Sequence, residues 1–556
     1  MKQSGVRGER PRPGLRQDLG WDDGQHKDAE STDDGKRTGG GDNGGAGSRR
    51  HSSRKHPGKH RILRWSATTL AVLILGTAGA GYLYYQHLNS NIRKGERSSG
   101  DAKAEKTKPN AAGQTAMNIL LIGSDSRNSA ENLKLGGSKD NVGNKPLGDV
   151  QMLIHLSADR KSAAVVSIPR DTRVDIPKCT DPDTHETYSA TNAIINESLA
   201  RGGAGCTLAT WENLTGVYID HWMTIDFSGV VKMADAIGGV EVCVKQNVWD
   251  RPLPGVPGGS GLKMKAGTKK VQGTQALQWL RTRHAFYSDL GRAKAQHMYM
   301  NSMIRTLKKQ DVFTDGGRLM NLAEAATKSL KVSEEIGTVK KLYDLGMQLK
   351  TVPSDRITMT TMPTIEDPQN QNHLIPAPTD AEKVWTMVRD DIAFDKGGAG
   401  DSKKKTTSKE QVSKDPADAD DRIGVAVQNG TRTATLAAVG GRANAVTQLL
   451  VRNGFVRATA DTTTAVAEAK TVVRYPSAEL EGDAQRIAKS LDIPLSSVKK
   501  STDVSGITLV VGADWRTGTT YPKQSTPKAG DLPASADVVK GTDTGACMDV
   551  YSPYRW

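Results

Sequence analysis

The stretch that decides the fold is residues 118–171, which holds three apolar runs: NILLIGSDSR (118–127), DVQMLIHL (149–156) and AAVVSIPRD (163–171). Short apolar runs bounded by Gly, Pro and Asp are typical of buried β-strands. The intervening SADRKS (157–162) is polar, and its length suits a hairpin loop. The stretch therefore predicts three strands, the last two joined as a hairpin.

The register of this hairpin predicts a charged pair at one edge of the sheet. If Leu156 faces Ala163, the same register places Asp149 opposite Arg170. A Gly-Ser-Asp turn after the first strand would bring Asp125 to the same edge. Two carboxylates beside a guanidinium form a seat for a divalent cation and a phosphate. The alternative is a structural salt bridge beside a turn acid.

Length and charge set broad limits on the function. A chain of 556 residues is too long for one compact domain, so two folded units with tails are expected. The net charge of +14 is compatible with nucleic acid, an anionic membrane surface or a phosphate-rich polymer as partner. Much of this charge lies in the N-terminal tail, so the total says little about the folded part.

An apolar segment predicts a membrane anchor. Residues 65–85 (WSATTLAVLILGTAGAGYLYY) contain no charge and are long enough to span a bilayer. Basic residues precede the segment, so the N-terminus is expected in the cytoplasm and the rest of the chain outside; they are Arg49, Arg50, Arg54, Lys55, Lys59, Arg61 and Arg64. A buried core helix is the alternative. Residues 1–64 are predicted to be a disordered basic tail because they contain few aliphatic residues.

Composition divides the remainder into domains and linkers. The predicted parts are a linker at 86–114, a first domain at 115–395, a linker at 396–421, a second domain at 422–515 and an irregular tail at 516–556. Strand and helix signals alternate in the second domain, which predicts a small α/β sandwich. It shows no acid–base cluster and is interpreted as a binding module.

The four cysteines lack the C-x-x-C spacing of zinc sites. Outside the membrane cysteines tend to pair, and Cys179 and Cys206 bracket a polar loop, so we expect a disulfide between them. A bond between Cys243 and Cys547 follows only by elimination, and two free thiols remain the alternative.

A second cluster of functional side chains follows a predicted helix at 274–280. Arg281 and Arg283 can reach one ligand only if this helix ends near residue 280, because they would otherwise point about 200° apart. Asp289 opens another helix, with Arg292 in its first turn and Gln296 one turn further on the same face. A helix start with an arginine is an anion site; three solvated surface arginines are the alternative. Residues 190–196 are predicted to be helical.

Many motifs in order resemble the LytR-CpsA-Psr (LCP) family; they are NILLIGSDSR (118–127), SIPRD (167–171), ENLTG (212–216), IDH (219–221), DFSG (226–229), GGVE (238–241), and RTRH (281–284) followed by DLGR (289–292). The second domain resembles the LytR C-terminal domain through VQNG (427–430), VRYP (473–476) and GADW (512–515). The resemblance implies an α/β fold with an LCP-type central mixed sheet flanked by helices, a second small α/β domain and one N-terminal transmembrane helix.

The resemblance also implies an activity: an extracytoplasmic phosphotransferase that attaches a glycopolymer from a polyprenyl-pyrophosphate carrier to peptidoglycan, assisted by Mg²⁺. Asp125 and Asp149 would hold the metal. The implied catalytic residues are Arg170, Asp171, Arg281, Arg283 and Asp289, and the candidate substrate-binding residues are Arg127, Asn192, Arg292 and Gln296. Leu147 and Ala295 stand where the family usually has arginine, which puts phosphate affinity in doubt.

Other functions remain open at this stage. The same site could hydrolyse the lipid pyrophosphate, or the chain could be a non-catalytic wall-binding or regulatory (transcription attenuator) membrane protein. No nucleic-acid partner is expected, because a basic run beside a membrane segment more often binds anionic lipid.

Overall fold

A computed structural model describes residues 58–556 except 108, 111, 127–128, 136–141, 310–314, 398–414, 434–435, 465, 469 and 523–526. Most of the predicted disordered tail (1–64) and of the predicted linker (396–421) lies outside the described residues.

The helices and strands are numbered in chain order. The helices are α1 Gly58–Asn91, α2 Ala130–Lys134, α3 Ser198–Thr215, α4 Phe227–Ala236, α5 Gly273–Arg281, α6 Asp289–Lys309, α7 Gly316–Ser329, α8 Val339–Thr351, α9 Pro378–Arg389, α10 Arg442–Arg452 and α11 Glu481–Ser490. The strands are β1 Arg93–Gly95, β2 Met117–Ser124, β3 Gly148–Leu156, β4 Ala163–Ser167, β5 Arg173–Ile176, β6 Cys179–Thr180, β7 Thr187–Tyr188, β8 Thr191–Ile194, β9 His221–Ile225, β10 Val240–Val244, β11 Val248–Trp249, β12 Lys263–Met264, β13 Gly267–Val271, β14 Leu330–Ser333, β15 Ile357–Thr361, β16 Thr364–Asp367, β17 Asn370–Pro376, β18 Gly424–Asn429, β19 Arg457–Asp461, β20 Val472–Tyr475, β21 Val498–Lys500, β22 Thr508–Val511 and β23 Val538–Lys540.

Helix α1 contains the predicted membrane segment. Its portion Leu63–Asn91 is long and apolar enough to cross a membrane. At its C-terminal end, Leu88 and the following Ile92 are buried. Asn89 Oδ1 accepts a hydrogen bond from the Val339 backbone N–H at 3.0 Å, which fixes this end to the start of α8.

The first domain is built on a mixed eight-stranded sheet in the order β1-β14-β9-β2-β3-β4-β15-β23. Strand β2 runs antiparallel to β3 and parallel to β9, and β4 runs antiparallel to β3 and parallel to β15. Leu156 faces Ala163, so the predicted hairpin register is confirmed. The Ser157 N–H donates to the Ser162 carbonyl at 3.0 Å and closes the predicted loop.

Alternation along the strands gives the sheet two different faces. Leu120, Leu153 and Val166 pack into a dense cluster with Trp211 of α3 and Trp385 of α9. The side chains at the alternate positions of these strands face α4, α6 and α8, and this side contains a cavity. One sheet face therefore supports the fold, and the other carries the open space.

The C-terminal domain is a separate five-stranded sheet in the order β19-β18-β22-β20-β21. Helices α10 and α11 pack on it around a core that contains Phe455, Leu509 and Trp515. The strand at 472–475 was predicted with the bounds of β20, whereas β19 and β21 were missed. The observed α/β architecture agrees with the prediction.

The C-terminal tail does not stand apart from the first domain. Strand β23 pairs antiparallel with β15 at the edge of the central sheet. Cys243 and Cys547 form a disulfide, and the predicted bond between Cys179 and Cys206 is also present. Tyr554 is buried in the cluster that surrounds α5 and β10. The tail thus returns to the region that carries the arginines.

One local prediction was wrong. Residues 190–196 are not helical: Thr191–Ile194 form strand β8, which pairs antiparallel with β5. Its Thr and Ile residues are β-branched, which favours the extended conformation once a partner strand is available.

Candidate active site

The pair of Asp149 and Arg170 marks one end of the central sheet. Gly123 pairs with Val150 and Ser124 pairs with Gly148, so Asp149 is the extra residue of a β-bulge, a feature that redirects side chains near active sites. Strand β4 ends before Pro169, which has no N–H to donate to a ladder. Arg170 Nη1 lies 3.1 Å from Asp149 Oδ1, as the hairpin register predicted.

Two further carboxylates surround Arg170. Its Nε lies 3.4 Å from Asp171 Oδ2 and 3.9 Å from Asp289 Oδ1. Asp289 Oδ1 also forms an ion pair with Arg292 Nη2 at 2.9 Å. This network fixes both guanidinium groups at the start of α6.

The network shifts the pKa values of its members. Burial disfavours the charge on Arg170, but the surrounding carboxylates outweigh burial and raise the pKa of its guanidinium. Burial raises the pKa of the Asp171 carboxyl; Arg170 opposes this shift and Asp289 adds to it. Burial lowers the pKa of Arg292 in spite of its ion pair with Asp289. The network is partly withdrawn from water, with the Arg170 and Arg292 side chains 21% and 11% exposed, and this strengthens its interactions with a charged ligand.

The other arginines follow the end of helix α5. The helix ends at Arg281, and Thr282 is extended, so Arg281 and Arg283 are not held on opposite sides of a continuous helix. Arg281 Nη1 donates to the Leu135 carbonyl at 3.2 Å and packs over the Phe227 ring. Arg283 has no carboxylate within 4 Å among the described residues. Its charge is available to a ligand.

Helix α6 approaches this end of α5 closely. A Cβ atom at Gly291 would lie 1.7 Å from the Phe286 carbonyl oxygen, so only glycine fits here. Gln296, one turn after Arg292, donates its amide to the Leu280 carbonyl at 3.0 Å. This bond satisfies a carbonyl at the C-terminal end of α5 and fixes the position of the following arginines.

All these elements enclose a cavity of about 660 Å³. Its polar end is lined by Asp149, Arg170, Arg281, Arg283, Arg292 and Gln296. Its apolar end lies between the sheet and the helices α4, α6 and α8, and includes Ile154, Val165, Met223, Met300, Met303, Ile304, Leu307 and Leu349. A cationic end joined to an apolar end suits an amphipathic ligand with an anionic head group.

The comparisons with known proteins agree with these features. The sequence profile of the LytR-CpsA-Psr family matches residues 82–390, more than half of the chain. The chain belongs to the LytR-CpsA-Psr family. A second profile, described as LytR cell envelope-related transcriptional attenuator, matches residues 422–515.

Several LCP relatives are similar to this chain over part of their length. The cell wall biosynthesis protein LcpA of Corynebacterium glutamicum is 29% identical over 329 residues, which cover 55% of this chain and 60% of the relative. The polyisoprenyl-teichoic acid–peptidoglycan teichoic acid transferase TagV of Bacillus subtilis is 25% identical over 253 residues, 45% of this chain and 61% of the relative. The chain thus spans about three fifths of these relatives. A crystal structure of B. subtilis TagV matches with a TM-score of 0.38 at 23% identity, covering 50% of this chain and 97% of that one.

Some residues implied by the LCP resemblance lie outside the cavity wall. Asp171 and Asp289 contact Arg170 from behind and do not line it. Asp125 lies at the same sheet edge, where its Oδ1 accepts a hydrogen bond from the Leu147 N–H at 2.6 Å. Asn192 lies on β8 and donates to Asp175 Oδ1 at 2.8 Å. Arg127 is outside the described residues.

Leu147 and Ala295, which stand where the LCP family usually has arginine, differ in their surroundings. Ala295 is completely buried in the cluster that contains Trp279 and Phe286, and it does not line the cavity. Its carbonyl accepts a hydrogen bond from Trp279 Nε1 at 3.0 Å. Leu147 is half-buried beside Asp125. Ala295 therefore packs in this core cluster and does not contact the cavity.

Among the polar residues that line the cavity, Asp226, Asp250 and His284 were not predicted as site residues from the sequence. Asp226 caps helix α4, and its Oδ1 accepts a hydrogen bond from the Gly229 N–H at 2.9 Å. The DFSG motif contained this capping signal. Asp250 lies just before a Gly/Pro-rich loop, where no periodic pattern indicates the direction of a side chain.

Proposed function

We propose that this protein is a membrane-anchored phosphotransferase that attaches a glycopolymer from a polyprenyl-pyrophosphate carrier to peptidoglycan. The observation that carries the proposal is the continuity of the arginine-lined and apolar ends in one cavity. A polyprenyl pyrophosphate has the same two parts, an anionic diphosphate and an apolar chain. The names of relatives, which include a teichoic acid transferase, support this substrate class.

The arginines have a clear role in such a transfer. Charge accumulates on the leaving polyprenyl phosphate as the bridging P–O bond breaks, and fixed guanidinium groups stabilise it. Arginine binds phosphate oxygens in bidentate fashion, which lysine cannot reproduce. Arg170 is already oriented by carboxylates, whereas Arg283 has none within 4 Å among the described residues. We therefore assign Arg283, together with Arg281, to binding of the diphosphate, and Arg170 to the charge that develops on the leaving phosphate.

The side chains at this sheet edge fit a magnesium ion. Asp149 lines the cavity and Asp125 follows the neighbouring strand, so two carboxylates lie at the ends of paired strands. Mg²⁺ needs few protein ligands because it keeps several waters and takes others from substrate phosphates. When bound, the ion would neutralise charge on the diphosphate.

The same proposal places the folded domains outside the cytoplasm. One apolar N-terminal helix serves as the anchor, and the basic residues before it favour a cytoplasmic N-terminus. The two disulfides support an oxidising compartment. Reactivity of engineered cysteines in whole cells tests the orientation: a cysteine at exposed Val456 should react with an impermeant maleimide, and one at residue 20 should not.

The decisive assay uses the full-length protein in detergent with Mg²⁺, a polyprenyl-pyrophosphate-linked N-acetylhexosamine and purified peptidoglycan. Formation of a phosphodiester between sugar and peptidoglycan supports the transferase. Release of the sugar phosphate without this product identifies a hydrolase. If neither occurs while the protein binds peptidoglycan, a non-catalytic wall-binding role replaces the proposal.

A further inference from the structure

A buried carboxylate and an imidazole lie side by side in the cavity wall, each with an unpaired atom. Asp250 is 1% exposed, and its Oδ2 accepts a hydrogen bond from the Ser260 N–H at 2.8 Å. Its Oδ1 has no hydrogen-bond partner within the described part of the chain, and neither has His284 Nδ1, which lies 4.0 Å away. Buried polar atoms in native proteins are nearly always paired, so two adjacent exceptions indicate a functional role.

The position of the His284 ring is fixed by the C-terminal tail. Tyr554 stacks on it, with ring centroids 6.1 Å apart and an interplanar angle of 18°. The Tyr551 N–H donates to the Ala285 carbonyl at 2.9 Å, next to the histidine. The disulfide of Cys547 ties this tail to β10. The ring is thus held between the tail and Asp250, at the wall of the same cavity as Arg283.

The other carboxylates of this region already have partners: Asp125 and Asp226 accept backbone hydrogen bonds from Leu147 and Gly229, and the remaining ones are paired with arginines. Asp149 and Asp171 are paired with Arg170, and Asp289 forms an ion pair with Arg292. Asp171 and Asp289 do not line the cavity, and each is committed to an arginine. A proton acceptor is therefore needed elsewhere in the wall.

The geometry points to His284 as the base that accepts the proton of the attacking hydroxyl, with Asp250 as its positioning residue; this inference rests on the proposed function. Catalytic hydrogen bonds are often long in unliganded enzymes, so the 4.0 Å gap closes on substrate binding. Nδ1–H then donates to Asp250, and the lone pair of Nε2 faces the hydroxyl.

The step balances in atoms and electrons. The hydroxyl oxygen forms a bond to the phosphorus that carries the glycan, and its proton passes to Nε2 of His284. The bridging P–O bond breaks, and its electron pair leaves on the polyprenyl phosphate. The charged and titratable groups around the ring are Asp250, Arg283 and Tyr554, with Arg251 on the adjoining loop.

The test compares single-turnover transfer by the full-length wild type, His284→Gln, Asp250→Asn and the control His185→Asn. His185 is exposed, outside the cavity wall and at a φ of 59°, which asparagine tolerates. We expect His284→Gln to lower the single-turnover rate constant at saturating lipid donor about 100-fold, with the half-saturating donor concentration unchanged. The wild-type rate should fall as the pH is lowered, as expected for a reaction that needs an unprotonated base, and this fall should be absent in His284→Gln.

The outcomes distinguish a wrong assignment of the base from a wrong assignment of the transferase activity. If wild type forms the phosphodiester and His284→Gln has the same rate and pH profile, His284 is not the base. If Asp250→Asn equals wild type, Asp250 does not position it. If wild type itself forms no phosphodiester, the transferase proposal fails and the assignment of the base falls with it. Thermal melting of each variant identifies any loss of folding.

Discussion

Arg170 in the first domain and Arg442 in the C-terminal domain are both shielded from solvent in α/β folds, yet their partners differ. Arg442 is 5% exposed; its Nε and Nη1 each donate to a backbone carbonyl at 2.8 Å, of Trp515 and Gly518 respectively, and it packs over the Trp515 ring. Arg170 is surrounded by carboxylates and lines a cavity.

This difference teaches how to separate structural from functional arginines. The contacts of Arg442 given above are all to residues of its own domain, so its charge contributes to the stability of that domain. The carboxylates around Arg170 fix its orientation while leaving one side toward the cavity. A buried arginine is a candidate for ligand binding when carboxylates hold its guanidinium group and one side of that group still faces a cavity.

The largest expected effect is on activity. Arg170→Ala should lower the transfer rate about 1,000-fold, because a fixed guanidinium stabilises charge that develops on the leaving phosphate. The measurement is phosphodiester formation with the lipid-linked sugar. Arg318→Ala, which removes an arginine with an exposed side chain on α7, is the matched control and should retain the wild-type rate. A small effect of Arg170→Ala would reduce this residue to a structural role.

Substitution of Arg442 in the C-terminal domain should lower stability and leave activity unchanged. Arg442→Met leaves buried carbonyls without donors and should lower the free energy of unfolding of that domain by about 3 kcal/mol. Hydrogen exchange in β18 and β22 measures this loss. Transfer activity at 25 °C should be retained. Loss of activity with a folded C-terminal domain would show that this domain takes part in the reaction.

An intermediate effect is expected at the apolar end. Met303→Trp enlarges a side chain that lines the cavity, so binding of a long-chain polyprenyl phosphate should weaken about 10-fold. Binding of a short-chain prenyl pyrophosphate should change little, because its head group uses the arginines. Isothermal titration with both lipids makes the comparison. Met320→Trp is the control, since Met320 is 50% exposed on α7.

The smallest effect concerns pH and stability. Burial raises the pKa of Asp171 in the folded state, so the folded protein binds its proton more tightly than the unfolded chain. Its stabilising contribution is present below the unfolded pKa and is lost as pH rises through the folded pKa. Asp171→Asn should therefore raise Tm at pH 7, and this gain should shrink as the pH falls toward 4. If Asp171→Asn raises Tm by the same amount at every pH, the raised pKa of Asp171 is not the cause.

Local sequence patterns were sufficient for the hairpin and for the two groups of arginines. Leu156 and Ala163 fix the register of β3 and β4, and that register alone predicts the contact between Asp149 and Arg170. Arg281 and Arg283 could reach one ligand only if α5 ended near residue 280, and it ends at Arg281. Such predictions succeed because the residues involved are close in sequence or joined by one ladder.

Features formed by distant segments could not be predicted in this way. Strand β23 is three residues long, too short for a periodic pattern, and it joins the sheet through β15. Asp250 and His284 meet Tyr554 only because the tail folds back across the first domain. Asn192 was expected near substrate, but β8 turns it toward Asp175. Tertiary packing decides each of these positions.

The most direct test of the central claim is a crystal structure of the protein with a polyprenyl-pyrophosphate-linked sugar and Mg²⁺. The account predicts the diphosphate within hydrogen-bond distance of Arg281 and Arg283, the sugar beside His284, and the prenyl chain between the sheet and α6 along Met303. A lipid bound on another face of the domain, or a prenyl chain in the cavity with its diphosphate directed away from these arginines, would contradict it.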